Sequence, residues 1–259
     1  MGDLWARARD LAEQAESILV LTGAGVSAES GVPTFRGGEG LWKSFRPEEL
    51  ATPAAFAQDP RLVWEWYDWR RKRVLSCRPN AAHLAIAARA LRGDEKVRVV
   101  TQNVDGLHVV AAQQVASAAV PPRVPDPAVP LELHGSLFRV RCPVCGERLA
   151  HTSPVDSSSR ESLPHCARCG ALLRPDIVWF GEPLDEVVLG QAIACARSAD
   201  VCLVVGTSAV VQPAASLGLL TKQGGGSVIE VNPEVTPLTR LADVSIRATA
   251  TDAVPRILG

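Results

Sequence analysis

Four of the seven cysteines stand in two closely spaced pairs. Cys142 and Cys145 form one Cys-x-x-Cys pair, Cys166 and Cys169 form the other, and 20 residues separate the pairs. This spacing is typical of a zinc ribbon, in which four thiolates make a closed tetrahedral site without a position for water. We therefore predict one structural zinc ion; the alternatives are four unliganded thiols or a redox pair. Cysteines used for a metal rather than for disulfides indicate a reducing compartment.

A glycine-rich run follows a short apolar stretch near the N-terminus. Ile18 to Thr22 has the composition of a buried strand, and Gly23-Ala24-Gly25 comes directly after it. Glycines let the backbone approach a ligand closely, and free amides at a helix start suit a pyrophosphate. A dehydrogenase would place an acidic residue about 20 positions later to hold a ribose, but Gly40 to Phe45 offers neither a strand nor a carboxylate. The run predicts a nucleotide held in another way, with Pro33-Thr34-Phe35-Arg36 as a loop over it.

Two further segments place polar side chains beside predicted strands. Gln102-Asn103-Val104-Asp105 ends a predicted strand, at the carboxyl edge where open α/β sheets bind ligands. Leu131 to His134 comes just before Gly135 and the first cysteine pair. An unprotonated imidazole can act as a general base. A single histidine near a turn can equally be a surface residue or a hydrogen-bonded core residue, so the residues alone leave both interpretations open.

Tyr67, the only tyrosine, and Arg70 are three positions apart on a predicted helix, and residues at this spacing share a face. A phenol hydroxyl and a guanidinium can together bind one carboxylate. The alternative is a solvated basic stripe, Arg70 to Arg73, on a helix whose tryptophans pack into the core. A nucleic-acid surface would need more basic residues than a chain of net charge −1 offers.

The elements that must position these groups follow from hydrophobic periodicity. Helices are predicted over Asp3–Glu16, Pro47–Gln58, Pro60–Ser76, Pro79–Leu91, Leu184–Ser198 and Pro213–Gln223, with a last helical turn at the C-terminus. Strands are predicted over Ile18–Thr22, Lys96–Gln102, Ile177–Phe180, Val201–Val205, Val228–Val231 and Val244–Ala248. Their alternation predicts an α/β fold, a Rossmann-like doubly wound parallel sheet with a small zinc-ribbon module. Gln113 to Pro130 contains five prolines and is expected to be an exposed insertion.

Composition limits the remaining possibilities. The 259 residues are 47% apolar with a net charge of −1, which is typical of a globular protein and gives no reason to expect a nucleic-acid or membrane partner. Apolar strings such as Val201–Val205 are too short to span a bilayer. The N-terminal segment lacks a secretory pattern, and we expect a cytoplasmic monomer.

Taken together, the glycine-rich run, the segment from Gln102 to Asp105, His134 and the two zinc pairs resemble the sirtuins, NAD-dependent protein deacylases, in type and in order. The resemblance covers roughly residues 18–258. It implies that NAD and one zinc ion are bound, that the acyl-lysine carbonyl oxygen attacks the ribose C1′ as nicotinamide leaves, and that an alkylimidate forms. His134 would then act as general base on a ribose hydroxyl, and the products would be nicotinamide, 2′-O-acyl-ADP-ribose and free lysine.

The resemblance also implies a division of the chain and a set of roles. A nucleotide-binding domain would take residues 1–135 and 175–259, a zinc module 136–174, and the helical part of the small domain would lie within 38–78. Catalysis is assigned to His134, Asn103 and Asp105. Cofactor binding is assigned to Gly23, Ala24, Gly25, Ser27, Glu29, Pro33, Thr34, Phe35, Arg36, Trp42, Gln102, Asn103, Val104, Asp105, Gly206, Thr207, Ser208, Asn232, Pro233, Glu234 and Ala250. Substrate binding is assigned to Tyr67, Arg70, Ala51, Phe180, Gly181, Glu182 and Val210, with the acyl-lysine peptide pairing as an added strand.

Tyr67-x-x-Arg70 resembles the class III, sirtuin-5-like members, which remove succinyl, malonyl and glutaryl groups. Ala51 matches the small residue that leaves room for those longer chains, so we expect acidic acyl groups to be preferred and deacetylation to be weak. The sequence departs from the family at Ala111-Ala112, where an Ala-Gly pair is usual. Two rival functions are a sirtuin-fold mono-ADP-ribosyltransferase and a sensor that binds NAD or acyl-lysine without turnover.

Overall fold

The computed structural model describes residues 2–33, 45–92, 97–117 and 129–259. The helices are α1 (Gly2–Gln14), α2 (Gly25–Ala28), α3 (Pro47–Leu50), α4 (Pro53–Gln58), α5 (Pro60–Leu75), α6 (Ala81–Ala90), α7 (Leu107–Ser117), α8 (Glu186–Ser198), α9 (Leu217–Gln223) and α10 (Ala250–Leu258), with 3₁₀ turns at Ala214–Ser216 and Pro237–Arg240. The strands are β1 (Ile18–Thr22), β2 (Val97–Thr101), β3 (Leu131–Glu132), β4 (Gly135–Arg141), β5 (Arg148–Ala150), β6 (Arg174–Ile177), β7 (Val201–Val205), β8 (Ser227–Val231) and β9 (Val244–Ile246). The predicted ligand contacts Thr34, Phe35, Arg36 and Trp42, and the stretch 118–128 of the predicted insertion, lie outside the described residues.

Six parallel strands form the main sheet in the order β3-β2-β1-β7-β8-β9. In chain order these are the first to sixth strands of the sheet, so their spatial order is 3-2-1-4-5-6, which is the Rossmann arrangement. The predicted doubly wound parallel sheet is confirmed. Strand order reverses between β1 and β7, and ligands of such sheets bind at the carboxyl ends of the strands beside this reversal.

The central strands are apolar because helices cover both faces of the sheet. Every residue of β1 and β7 is buried, as expected for parallel strands between two helical layers. Side chains alternate across a strand, so Ile18 and Val20 join the core cluster formed with α1, α6, α7 and α10. Leu19 and Leu21 join the opposite cluster, which α8 and α9 complete. None of the described helices is long and apolar enough to cross a membrane.

A second, antiparallel sheet of three strands, β5-β4-β6, carries the cysteines and packs on α5. The prediction of a strand over Ile177–Phe180 is wrong, because the strand runs over Arg174–Ile177 and ends where the predicted strand begins. It also pairs with β4 in the antiparallel sheet and does not join the parallel sheet. The chain turns beyond it, where Glu182 binds the Trp179 amide and Gly181 has a φ of +85°. An apolar, β-branched run indicates a strand, but it does not identify the sheet to which the strand belongs.

Two other boundaries differ from the predictions. The helix predicted over Pro47–Gln58 is interrupted, because Thr52 caps a new helix with its hydroxyl and Pro53 occupies the first position of that helix. The N-terminal part of the predicted insertion is helical and belongs to α7, whose Ala111, Ala112 and Ala116 are buried. An Ala-rich segment without a strong amphipathic pattern resembles a linker in composition. Only its packing against α6 shows that this segment is a helix of the core.

The four cysteines of the small sheet have the geometry of one zinc site. Their Sγ atoms all lie within 4.8 Å of one another, with 3.5 Å between Cys142 and Cys169 and 3.6 Å between Cys145 and Cys166. Zn–S bonds of about 2.3 Å in a tetrahedron separate sulfur atoms by about 3.8 Å. Four thiolates at these distances therefore suit one structural zinc ion with no open position.

We expect Cys169→Ser to abolish zinc binding and to unfold the small sheet, because three ligands remain and the metal supplies much of such a module's folding energy. Zinc content by elemental analysis and hydrogen exchange of residues 136–174 measure the two effects. Cys195→Ser is the matched control, since Cys195 lies outside the cluster. Full zinc occupancy in Cys169→Ser would contradict the assignment.

Candidate functional site

The loops that follow β1 and β7 meet in direct main-chain contact. The Gly25 amide donates to the Gly206 carbonyl over 2.8 Å. A Cβ on Gly25 would lie 2.7 Å from the Gly206 Cα, and a Cβ on Gly23 would lie 2.9 Å from the Gly206 oxygen. Gly206 has a φ of +60°, a conformation that favours glycine. The glycines predicted to approach a ligand are thus also required for the two loops to approach each other.

The loop after β2 is bound to the loop after β1 through buried polar side chains. Asn103 donates from Nδ2 to the Gly23 carbonyl and to the Ser27 hydroxyl, each over 3.1 Å. The Ser27 hydroxyl donates to Asp105 over 2.8 Å, and the other Asp105 oxygen accepts from the Leu107 amide. Burial raises the pKa of Asp105, although these hydrogen bonds and nearby Arg70 oppose the shift. Three residues predicted for one site therefore form one hydrogen-bonded network.

His134 lies between β3 and β4, at the same edge of the sheet. Its Nδ1 is 2.9 Å from the Gln102 carbonyl oxygen. Because a carbonyl can only accept a hydrogen bond, this contact places the proton on Nδ1 and leaves the Nε2 lone pair available. Burial lowers the pKa of His134, while the hydrogen bond to Gln102 opposes the shift. A neutral, oriented imidazole with a basic nitrogen is the form that a general base requires.

The ends of β7 and β8 complete the edge. The Gln102 side chain donates to the Thr207 hydroxyl over 3.0 Å, and Asn232 donates to the Thr207 carbonyl over 2.8 Å. The Glu234 amide in turn donates to the Asn232 side chain. These hydrogen bonds connect the ends of β2, β7 and β8, three strands whose loops the sequence assigns to one ligand.

The remaining predicted cofactor residues border this edge. Ala24 and Val104 belong to the loops just described, and the Val104 carbonyl accepts from the Leu137 amide. The Glu29 carboxylate accepts from the Thr251 amide, beside Ala250 at the start of α10. Ser208 is half-buried, whereas Pro33 and Pro233 are exposed.

The predicted acyl-binding pair packs among the aromatic residues of α5, with Tyr67 buried and Arg70 half-buried. Tyr67 is fully buried, and its hydroxyl accepts from the Trp179 indole over 2.9 Å. The Arg70 guanidinium carbon lies 5.0 Å from the centre of the Trp66 ring and 5.6 Å from that of Tyr67. Burial lowers the pKa of Arg70, and the Tyr67 and Asp105 groups oppose the shift. The Ala51 carbonyl accepts from the Phe180 amide, so this residue also adjoins the region.

The predicted peptide-binding residues differ in exposure and in hydrogen bonding. Phe180 and Val210 are 57% and 58% exposed, on the segments after β6 and β7. Glu182 is instead engaged within the protein, where Arg174 donates to both of its oxygens. Arg141 and the Trp179 amide also donate to Glu182. Its carboxylate thus already has protein partners.

Sequence reasoning missed two histidines behind the network. His83 lies 3.3 Å from the Ser27 hydroxyl, and His108 lies 2.9 Å from the Thr22 hydroxyl. Burial lowers the pKa of His83 to about 4 and that of His108 well below its usual value, so both rings are neutral near pH 7. Asn80 caps α6 and also contacts the His83 ring. This Asn-x-x-His spacing at a helix start was the available signal.

Comparison with known proteins identifies the family of this chain. A family model described as the Sir2 family matches residues 23–213. A protein of Thermococcus kodakarensis named NAD-dependent protein deacylase is 49% identical over 254 residues, 97% of this chain and 93% of that protein. A solved Sir2 homologue in complex with NAD is 46% identical with a TM-score of 0.85, covering 98% of this chain and 91% of that one. A Sir2 structure with a p53 peptide and NAD⁺ is 30% identical with a TM-score of 0.79, covering 96% and 94% of the two chains.

The matched family region begins at the first glycine of the loop after β1, and the related structures cover nearly the whole chain. Sequence motifs, sheet order and the cysteine cluster therefore agree with the similarity found by comparison. The chain belongs to the Sir2 family, the sirtuins.

Proposed function

We propose that this sirtuin removes negatively charged acyl groups (succinyl, malonyl and glutaryl) from lysine side chains of proteins and consumes NAD in doing so. The products are nicotinamide, 2′-O-acyl-ADP-ribose and free lysine. The observation that carries the proposed chemistry is the orientation of His134, whose Nδ1 lies 2.9 Å from the Gln102 carbonyl at the edge where the loops after β1, β2 and β7 meet.

The loops at this edge fit a dinucleotide. The absence of side chains at Gly23, Gly25 and Gly206 brings backbone amides together beside the strand-order reversal, a place that favours a pyrophosphate. The hydroxyls of Thr207 and Ser208 can donate to phosphate oxygens. Asn232 and Glu234 follow β8 and would hold the adenosine ribose, so they take the role of the missing acidic residue after β1. The bound nucleotide supplies an electrophilic ribose carbon to the acyl oxygen.

The buried network around Ser27 supports distinct roles for Asn103 and Asp105. Each Asp105 oxygen already accepts one protein hydrogen bond and retains capacity for a further donor, such as a carboxamide NH₂ of nicotinamide. The amide nitrogen of Asn103 is used by Gly23 and Ser27, so the side chain is fixed while its oxygen can orient a ribose hydroxyl or a water. His134 then removes a proton from a ribose hydroxyl through Nε2.

The proposed acyl preference rests on the placement of Arg70 and Tyr67. Tyr67 is fully buried and Arg70 is half-buried, and the Arg70 guanidinium carbon lies 5.6 Å from the centre of the Tyr67 ring. A carboxylate at the end of an acyl chain could accept hydrogen bonds from a guanidinium and a phenol hydroxyl together, whereas an acetyl group offers neither a charge nor a second acceptor. Ala51 is small and adjoins the Phe180 segment, so it leaves room for a longer chain.

The substrate backbone would pair between the exposed segments around Phe180, Gly181 and Val210. Pairing of this kind reads main-chain groups, so we expect low sequence selectivity among substrates.

We expect His134→Ala to lower formation of O-acyl-ADP-ribose by at least about 100-fold, the usual contribution of a general base. Because His134 acts after nicotinamide has left, the variant should still exchange labelled nicotinamide into NAD when an acyl-lysine peptide is present. Mass spectrometry and isotope exchange measure the two reactions. Normal product formation would refute the role, and modified protein in place of acyl-ADP-ribose in the wild type would favour an ADP-ribosyltransferase.

The lowered pKa of His134 predicts the acid limb of the rate profile. The neutral imidazole is the active form, so activity is lost only as pH falls through the pKa of His134, which burial places below its ordinary value of 6.5. We expect kcat/KM to change little between pH 7.5 and 6.5 and to decline at lower pH. Circular dichroism over the same range must show that the fold persists. A decline in kcat/KM centred above pH 6.5 would contradict the assignment of His134 as the general base.

We expect Arg70→Met to lower the ratio of kcat/KM for succinyl-lysine over acetyl-lysine peptides by about 100-fold, because a charged hydrogen-bonded contact is lost only for the acidic group. Arg73→Met is the matched control on the same helix, since the Arg73 guanidinium lies over Trp69 on an exposed part of α5. A wild type that prefers acetyl, or a ratio that survives Arg70→Met, would exclude the acidic acyl preference.

A further inference from the structure

Trp179 joins the proposed acyl pocket to a group of charged residues that the proposed function does not use. Its indole is 2% exposed and donates from Nε1 to the Tyr67 hydroxyl oxygen over 2.9 Å. Trp179 immediately precedes Phe180, but its own side chain points inward to α5 and not toward the exposed segment. The contact therefore connects the segment after β6 with the predicted acyl-binding helix.

The indole ring is held from several directions. The Arg174 guanidinium carbon lies 3.2 Å from the centre of the Trp179 ring, and the Phe56 ring lies 5.3 Å away. The Trp179 amide donates to Glu182 over 2.9 Å. Glu182 also accepts from Nη1 and Nη2 of Arg174 over 2.6 and 2.9 Å. Glu182 thus fixes both the backbone of Trp179 and the cation that stacks on its ring.

The stacked cation also affects the chemistry of the indole. A guanidinium over an aromatic face draws on the electron density of the ring, which makes the indole N–H a better donor. Arg174 is 5% exposed, so water screens this effect little.

The contact with Trp179 determines what the Tyr67 hydroxyl can offer to a ligand. A phenol oxygen that accepts from an indole directs its own proton elsewhere. Among the described residues none accepts that proton, so it remains available to a ligand. Burial raises the pKa of Tyr67, which keeps the hydroxyl protonated and therefore a donor near neutral pH. The donor adjoins Arg70, so the two groups together suit a carboxylate.

We propose that Trp179 is a positioning residue for acyl selectivity, whose indole N–H orients the Tyr67 hydroxyl as a donor toward the carboxylate of an acidic acyl group. Arg174 and Glu182 hold Trp179 in that position and act through it. This inference rests on the acidic acyl preference proposed above. It also gives the Glu182 carboxylate a role inside the protein, beside the predicted pairing of this segment with the substrate peptide.

The test is the Trp179→Phe variant, which keeps an aromatic ring for Arg174 and Phe56 and removes the indole donor together with some buried volume. We expect the ratio of kcat/KM for succinyl-lysine over acetyl-lysine peptides to fall about three- to tenfold, the size of one neutral hydrogen bond. The loss should appear mainly as a higher KM for the succinyl peptide, because the acyl carboxylate is bound in the ground state as in the transition state.

Trp64→Phe is the matched control. Trp64 is a fully buried residue of the same core, lies on the same helix as Tyr67, and donates from Nε1 to the Leu173 carbonyl over 3.1 Å. Its replacement removes an equivalent buried donor without touching Tyr67. We expect Trp64→Phe to lower the melting temperature and to leave the succinyl-to-acetyl ratio as in the wild type.

A double-mutant cycle separates positioning from general stability. In a Tyr67→Phe background, Trp179→Phe should change the ratio no further, since the hydroxyl it orients is absent. An unchanged ratio in the single variant, an equal loss for both peptides, or an additive loss in the double variant would each overturn the inference. A wild type without acidic preference would instead refute the proposed function itself.

A measurement on proteins that retain Trp179 keeps the inference testable if Trp179→Phe fails to fold. The indole N–H resonance that shifts on Tyr67→Phe replacement identifies Trp179 in a ¹H–¹⁵N spectrum. We expect that resonance to move when wild-type protein binds a succinyl-lysine peptide with NAD, and to stay in place with the acetyl-lysine peptide. Equal responses to the two peptides would overturn the inference.

Discussion

The main-chain contact between Gly25 and Gly206 is the constraint on which the ligand edge depends. β1 and β7 are neighbours at the point where strand order reverses. The loops that follow these two strands nevertheless touch, through the hydrogen bond from the Gly25 amide to the Gly206 carbonyl. A Cβ on Gly206 would lie 2.5 Å from the Val26 amide nitrogen, a separation that no side chain can adopt without moving a loop. The neighbouring loops are bound to the same contact, through the Asn103 side chain on Gly23 and the Gly206 amide on β8. Displacement of these glycines would therefore displace the whole edge.

The position of His134 depends on both sheets at once. It follows β3, the last strand on its side of the parallel sheet, and Gly135 immediately begins the antiparallel sheet. Gly135 has a φ of +82°, and a Cβ there would lie 2.0 Å from the Asp176 carbonyl, so the two antiparallel strands meet directly behind the histidine. Arg139 binds Glu132 on one side and Asp176 on the other. The first zinc cysteine, Cys142, directly follows β4, so a zinc ion held by the four cysteines would stabilise the sheet against which His134 is held.

The basic residues of α5 show how packing divides one charged run into two environments. Arg71 is 2% exposed, lies 5.2 Å from the Trp64 ring and donates to the Leu137 carbonyl, whereas Lys72 and Arg73 are exposed. Guanidinium groups tolerate such burial because they are weakly hydrated and stack on aromatic faces. The interpretation of the run as a solvated stripe was therefore right for two residues and wrong for the inward-facing side of the helix. That side carries the group proposed to select the acyl chain.

The sequence by itself determined the doubly wound sheet, the four metal-binding cysteines and the candidate residues at strand ends, because these depend on local periodicity, spacing and residue type. It did not determine that β6 belongs to the second sheet, that residues up to Ser117 continue a helix, or that Glu182 is bound by Arg174 and Arg141. Nor did it indicate the contact between Trp179 and Tyr67, which are 112 positions apart. Each of these depends on which distant segment a side chain meets after folding, and only the tertiary structure decides that.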